Sequence, residues 1–170
     1  LIEEIVLPDS VTYADLSGCE NLVSVKALGI NDFDDIKLSN CTSLKYLELP
    51  GITEFSYYDN FPEYVETLRL DNVVGELGVR GGSNLKTLII PKIEAIYVDV
   101  TDWPTKLENV TISDSIKYYS LDSYINKPGS LYSEEGDYRK LITSENAAYV
   151  YCWVFGVEQI TVNGVLYKKP

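Results

Sequence analysis

The sequence predicts a β-rich solenoid of short parallel strands, and a repeated pattern of apolar residues is the main reason. Six segments share the pattern apolar-x-x-apolar-x-apolar, and successive segments begin 20, 22, 21, 20 and 22 residues apart. The six starts are Ile2, Leu22, Leu44, Val65, Leu85 and Leu107. A single coil of this length cannot bury its inward side chains, whereas stacked coils bury a continuous core. We therefore expect about six stacked coils with a mean length of about 21 residues.

The first side of each coil is predicted to be a strand. The six segments read IEEIVLP, LVSVKAL, LKYLELP, VETLRLD, LKTLIIP and LENVTIS, and their ends alternate between core and solvent with period two. Pro8, Pro50 and Pro91 follow first strands, where proline ends the strand without removing a ladder hydrogen bond. The residues predicted to point inward include Leu47, Leu49, Leu68, Leu70, Leu88, Ile90, Val110 and Ile112.

The second side of each coil carries another apolar set, eight or nine residues after the first begins. The sets are Val11-Ala14-Leu16, Ile30 with Ile36-Leu38, Ile52-Phe55-Tyr57, Val74-Leu77-Val79, Ile93-Ile96-Val98 and Ile116-Tyr119-Leu121. A closing residue follows each set: Cys19, Cys41, Phe61, Gly82, Trp103 or Tyr124. Because Cys19 and Cys41 occupy equivalent positions on adjacent coils, we expect small buried thiols there, with a disulfide or a metal pair as the alternative.

LKYLELPGI and NLKTLIIPKI, each preceded by C-x-x-L or G-x-x-L, resemble leucine-rich repeats, and most closely the bacterial surface subtype called BspA-like. The resemblance covers residues 1–124 and departs from the subtype at the second element, which lacks the usual alanine-phenylalanine pair before the cysteine. It implies a leucine-rich-repeat solenoid, formally of the α/β type, in an exported or cell-surface bacterial protein that adheres to or recognises a partner. We expect a non-catalytic binding module, and a purely structural spacer is an alternative. The alternative fold is a right-handed parallel β-helix, whose coils have a similar length.

The repeat is lost after residue 124, and residues 125–170 are predicted to be an atypical C-terminal cap with an inserted loop. AYVYCWVF is a continuous apolar run typical of a strand, and VEQITV repeats the pattern of the first strands. Asn163-Gly164 predicts a two-residue hairpin turn, since both turn positions need positive φ.

Composition excludes several classes of function. The net charge of -12 argues against nucleic acid and against an anionic membrane surface, both of which need clustered lysine and arginine. The chain contains no histidine, the commonest general base and zinc ligand. It also has no apolar run near the ~20 residues that a membrane-spanning helix needs, so direct membrane insertion is not expected.

The motifs that could carry chemistry favour structural interpretations. Asp32, Asp34 and Asp35 form the densest acidic cluster, but the loop lacks an EF-hand pattern and is predicted to be a solvated turn. GVRGGSN lacks the lysine of a phosphate-binding loop and is predicted to be a tight corner. We therefore expect no metal and no cofactor. A polysaccharide-cleaving β-helix remains the enzymatic alternative, and its candidate residues are Asp99, Asp102, Asp122 and Arg80.

The candidate binding face is the outward side of the first strands. Strand alternation and coil stacking predict two outward columns there, Val6-Lys26-Glu48-Arg69-Ile89-Thr111 and Glu4-Ser24-Tyr46-Thr67-Thr87-Asn109. The chain has 14 tyrosines against 4 phenylalanines, and exposed tyrosine is enriched at recognition surfaces. We expect a protein or glycan partner to contact Tyr46, Glu48, Arg69 and Ile89. The alternative site is the second side of the coils, at Tyr58 and Tyr97.

Overall fold

The architecture is a β-solenoid of mostly parallel strands, seen in a computed structural model that describes residues 2–53, 63–74, 76–77, 84–93, 95–97, 106–114, 118–120 and 139–170. The elements in chain order are β1 Glu4–Leu7, β2 Ala14–Asp15, β3 Ser24–Ala27, β4 Ile36–Lys37, β5 Tyr46–Glu48, β6 Thr67–Arg69, β7 Glu76–Leu77, β8 Thr87–Ile90, β9 Ala95–Tyr97, β10 Asn109–Ile112, β11 Tyr118–Ser120, β12 Arg139–Leu141, α1 Ala147–Val154, β13 Gln159–Val162 and β14 Val165–Lys168. The predicted stacking of short parallel strands is confirmed.

The first strands form one eight-stranded sheet, called here the long sheet, in the order β1-β3-β5-β6-β8-β10-β13-β14. Neighbouring strands are parallel except for the antiparallel pair β13–β14. From β1 to β10 the register keeps equivalent repeat positions side by side, as in Leu47↔Leu68 and Leu68↔Leu88. Because side chains alternate faces along a strand, this register sends the same repeat positions into the core on every coil.

The core consists of apolar rows that run from coil to coil beneath the long sheet. All eight residues predicted to point inward from these strands are buried, with at most 4% of their surface exposed. Fully burying one leucine or isoleucine contributes about 1.5–3 kcal/mol. A further row lies three residues after the last inward residue of each strand, and its members Ile30, Ile52, Val73 and Ile93 are 0% exposed.

That further row corrects one assignment on the second side of the coils. The sequence pattern placed Val74 in the second apolar set, but Val74 is 49% exposed and Val73 is buried. The reason is the constant offset from the strand, since Leu70 precedes Val73 by the same three residues that separate Leu49 from Ile52. Position relative to the strand therefore decides which valine enters the core.

The second side of the coils forms two smaller sheets among the described residues. β2 pairs with β4 in parallel, and β7, β9 and β11 pair in parallel in a sheet that β12 joins antiparallel at its edge. β12 begins at the end of the polar segment SEEGDYRK, for which the sequence predicts a loop or the start of a short helix. The closing residues Phe61, Gly82, Trp103 and Tyr124 lie outside the described residues.

The corners after the long-sheet strands bring successive coils into close contact. A Cβ atom on Gly29 would lie 2.2 Å from the carbonyl oxygen of Asp9 and 2.6 Å from that of Val11. At the equivalent position two coils later, Asn72 Nδ2 instead donates a 2.6 Å hydrogen bond to the Pro50 carbonyl. The corner at Gly29 therefore has no room for a side chain, whereas the corner at Asn72 is joined to the preceding coil by a side-chain hydrogen bond.

Cys41 is buried as predicted, and its Sγ donates a 3.1 Å hydrogen bond to the carbonyl of Leu16 on the preceding coil. Cys19, however, is exposed, so the prediction of two buried thiols is wrong at that position. The cause is the place of its coil in the stack, because β1 is the edge strand of the long sheet and its coil is covered on one side only. Both thiols are free.

The cap contains a helix where the sequence predicted a strand. AYVYCWVF lies largely in α1, so the strand assignment for this run is wrong. At its start, Thr143 and Asn146 bond each other reciprocally, with the Thr143 N–H donating to Asn146 Oδ1 at 2.8 Å and the Asn146 N–H donating to Thr143 Oγ1 at 3.4 Å. At its end, Gly156 has φ 63, and the Val157 N–H donates to the Cys152 carbonyl at 2.9 Å, as in a Schellman motif.

The predicted hairpin is confirmed, since β13 and β14 pair antiparallel around Asn163 (φ 48) and Gly164 (φ 80). The repeat pattern in VEQITV would align Ile160 with Val110, but Val162 is the residue paired with Val110. This shift by two residues leaves every side chain on its original face, so Ile160 and Val162 remain buried. The cap therefore joins the long sheet in its own register.

Candidate functional site

The outward face of the long sheet presents the predicted columns in straight rows across the strands. Glu48 pairs with Arg69 and Arg69 with Ile89 in one column, while Tyr46 pairs with Thr67 and Thr67 with Thr87 in the other. Because the strands are about 4.8 Å apart, each column presents one side chain per coil at that interval.

The column that contains Tyr46 otherwise carries small polar side chains. Ser24, Thr67 and Thr87 are half-buried, whereas Tyr46, between Ser24 and Thr67, is 52% exposed. Because its neighbours on both adjacent strands are small, they leave much of the tyrosine side chain open to solvent. An exposed aromatic side chain of this kind offers a large contact surface to a partner.

The column that contains Glu48 is held by ion pairs. Lys26 Nζ lies 2.5 Å from Glu48 Oε1 on the neighbouring strand. Arg69 faces Glu48 from the strand on the other side, but its Nε lies 2.9 Å from the carboxylate of Asp71, in the turn after its own strand. The hydrogen bond that Arg69 donates to Asp71 raises the pKa of the Arg69 guanidinium, and the Glu48 charge acts in the same direction.

A third outward column, at the start of the strands, was not predicted from the sequence. Glu66 accepts from Lys86 Nζ at 2.9 Å and lies 3.4 Å from Lys45 Nζ, so one carboxylate joins three consecutive coils. The hydrogen bond from Lys86 lowers the pKa of Glu66, and the same bond raises the pKa of Lys86. The signal that could have revealed this column is the alternation of sign at the residues that follow Leu44, Val65, Leu85 and Leu107, namely Lys45, Glu66, Lys86 and Glu108.

The structure brings together the four residues predicted to contact a partner. Tyr46 and Glu48 lie two residues apart on β5, Arg69 faces Glu48 from β6, and Ile89 faces Arg69 from β8. Tyr46 and Arg69 are exposed, and Glu48 and Ile89 are half-buried. The alternative site falls largely outside the described part of the chain: Tyr58 lies outside it, and the side chain of Tyr97 is not described.

Other candidate sites gain no support within the described residues. Asp32 Oδ1 accepts the Asp34 N–H at 2.8 Å and caps the short 3-10 turn Phe33–Asp35, which accounts for the acidic cluster. No group of three or more potential metal-ligating side chains occurs among the described residues. The proposed catalytic residues Asp99, Asp102, Asp122 and Arg80 lie outside them. No helix in the same ranges is long and apolar enough to cross a bilayer.

Comparisons with protein-family models, curated proteins and solved structures find no match to this chain. The outward face of the long sheet is therefore the feature of the molecule from which a function can be inferred.

Proposed function

We propose that the chain is a non-catalytic binding module that presents the outward face of its long sheet to a protein or glycan partner. The observation that carries the proposal is the position of Tyr46, whose ring is half exposed among small neighbours and between two columns of charged side chains. Large rigid aromatic side chains supply contact area at a low entropy cost.

The proposal includes a finer description of the fold. We assign the chain to a leucine-rich-repeat solenoid of six coils, of the BspA-like subtype, within a larger exported bacterial protein at the cell surface. The regular spacing of the six segments and the resemblance of LKYLELPGI and NLKTLIIPKI to that subtype support this assignment. Binding through the strand face is what the resemblance implies.

A glycan and protein array screen tests the function. The wild-type chain is compared with a double variant, Tyr46→Ala with Arg69→Ala, and with a matched control, Tyr13→Ala with Lys37→Ala, which changes exposed residues of similar type on the other side of the coils. We expect at least one partner to bind wild type and control alike and to lose affinity for the double variant. Binding that survives the double variant would move the site elsewhere, and a chain without any partner would be a structural spacer.

A further inference from the structure

A trough crosses the strands on the outward face of the long sheet. Its floor is the column of small polar side chains from β3 to β13, namely Ser24, Thr67, Thr87, Asn109 and Thr161, interrupted by Tyr46. Charged side chains form walls along part of this floor: Lys26-Glu48-Arg69 on β3, β5 and β6 at one side, and Lys45-Glu66-Lys86 at the start of β5, β6 and β8 at the other, with side chains 29–53% exposed. The six strands extend the floor for about 24 Å.

The floor offers hydrogen-bonding groups that the described protein does not use. In the part of the chain that the structure describes, the hydroxyls of Ser24, Thr67 and Thr87 take part in no side-chain hydrogen bond. Water satisfies such groups in the free protein, and a ligand must replace those hydrogen bonds to avoid a loss of affinity. A ligand with hydroxyl groups along its length meets this requirement, whereas an apolar segment does not.

The charge of the walls favours an uncharged ligand. Cations and carboxylates alternate along both walls and are already paired with each other, and Asp71 neutralises the end of one wall. The trough, with four cations and three carboxylates, therefore carries a net charge of only +1, while the whole chain carries a net charge of -12 that repels an anionic polymer. The walls supply both donors and acceptors, which suits hydroxyl groups and gives no advantage to a charged ligand.

We infer that this trough binds an extended, uncharged polysaccharide chain that runs across the strands, with one sugar ring stacked on Tyr46. The inference rests on the proposed function and names the chemistry of its partner. The regular rows present the same kind of polar group at every coil, which matches the repeated hydroxyl groups of a polysaccharide. The small hydroxyl side chains of the floor form no apolar pocket of the kind that anchors a peptide.

Isothermal titration calorimetry tests the inference directly. The probes are neutral β-linked hexasaccharides of glucose, xylose and N-acetylglucosamine, an anionic hexagalacturonate, and one acidic and one basic unstructured peptide. We expect a neutral hexasaccharide to bind with little dependence on salt and the charged probes to bind more weakly or not at all. Preference for hexagalacturonate or for a peptide, or no binding of any neutral sugar, would overturn the inference.

Variants place the sugar in the trough. Tyr46→Ala is expected to weaken binding about tenfold or more, because it removes an aromatic contact, and Tyr46→Phe is expected to retain it. Thr67→Val with Thr87→Val removes two floor hydroxyls with little change of shape and is expected to weaken binding several-fold. Tyr13→Ala, at a tyrosine that is 57% exposed elsewhere on the solenoid, is the control and should leave the affinity unchanged. Far-UV circular dichroism verifies that each variant is folded.

The results also separate this inference from the proposed function. If no neutral sugar binds but a protein or a charged glycan loses affinity for Tyr46→Ala with Arg69→Ala, the polysaccharide inference fails and the binding face stands. If neutral sugars bind all variants as tightly as wild type, both the trough and the face are wrong, and the site lies elsewhere on the chain.

Discussion

Replacing Gly29 with alanine tests whether close contact between successive backbones holds the coils together. The new Cβ would lie 2.2 Å from the Asp9 carbonyl oxygen, and moving it out to the 3.0 Å below which Cβ contacts are essentially never seen requires a shift of at least 0.8 Å. The adjacent hydrogen bond from the Leu28 N–H to the Leu7 carbonyl is 3.0 Å long, so a shift of this size takes it beyond hydrogen-bonding range.

The expected loss of stability follows from three contributions. Overpacking a close contact costs about 1–3 kcal/mol, and the lost hydrogen bond costs about 1 kcal/mol. Alanine also lowers the conformational entropy of the unfolded chain, which offsets roughly 0.4–1 kcal/mol of this loss of stability. We therefore expect Gly29→Ala to lower the free energy of unfolding by about 1–3.5 kcal/mol, or the melting temperature by about 2–14 °C for a chain of this size.

Urea unfolding followed by far-UV circular dichroism measures this effect, with midpoints and slopes compared because solenoids depart from two-state behaviour. Gly18→Ala is the matched control, since nothing lies within 4 Å of its Cβ position. Its φ of 78 penalises alanine by about 1–2 kcal/mol without any steric conflict between coils. A Gly29→Ala protein within 0.5 kcal/mol of wild type would refute the reasoning.

Three other predictions follow from local contacts. Cys19 should react with a thiol reagent in the folded protein while Cys41 reacts only after unfolding, because burial shields the Cys41 thiol and raises its pKa; equal rates in a labelling time course would contradict this. The hydrogen bond from Lys86 lowers the pKa of Glu66 in the folded state. The ionised Glu66 therefore stabilises the fold at pH values above its pKa in the unfolded chain, and this stabilisation is lost as pH falls through its pKa in the folded protein. In urea titrations across acidic pH, Glu66→Gln should therefore differ from wild type at neutral pH and converge with it in acid, and a constant difference would exclude the ion pair as the cause. Asn163→Ala should cost about 2–3 kcal/mol in thermal unfolding, because it places alanine at positive φ and removes two side-chain hydrogen bonds. Asn163→Gly should lose less stability, because glycine tolerates the positive φ of the turn. Equal losses of stability in the two variants would show that the turn conformation is not the cause.

The strands and their inward faces could be predicted because one rule determines both. A period of two within each segment and a nearly constant distance between segments place Leu47, Leu68 and Leu88 in one row, and all three are buried. The exposure of Cys19 could not be predicted in the same way, because its position in the repeat is the same as that of Cys41. What differs is whether another coil packs on each side, which the local pattern does not contain.

The helix of the cap was missed because the residues inside it favour strands. AYVYCWVF is rich in aromatic and β-branched residues, and intrinsic propensity is a weak guide when tertiary packing decides. The residues that indicate a helix lie at its two ends, where Thr143 and Asn146 form hydrogen bonds with each other and Gly156 adopts positive φ. A capping pair three residues apart and a glycine after the apolar run together outweigh the composition between them.

The candidate site was predictable in position and less so in chemistry. Tyr46 and Arg69 were placed on one face because strand alternation and the repeat length fix which positions align. The pairing of Arg69 with Asp71 was not foreseen, since it depends on the turn after the strand and not on the repeat. Alternating charges on neighbouring strands stabilise a sheet and can also line a binding surface, so the sequence pattern alone does not separate the two roles.

The parallel register of the long sheet also makes the mechanical resistance of the molecule depend on the direction of the applied force. Hydrogen bonds between its parallel strands lie in the sheet plane and run at a slant from strand to strand, hence mainly along the axis on which the coils stack. A force applied along that axis peels one strand at a time and loads only the few bonds at the opening edge. A force applied along the strands shears all the bonds of a strand pair together and is resisted far more strongly. The direction of attachment would therefore determine how much tension the folded chain withstands.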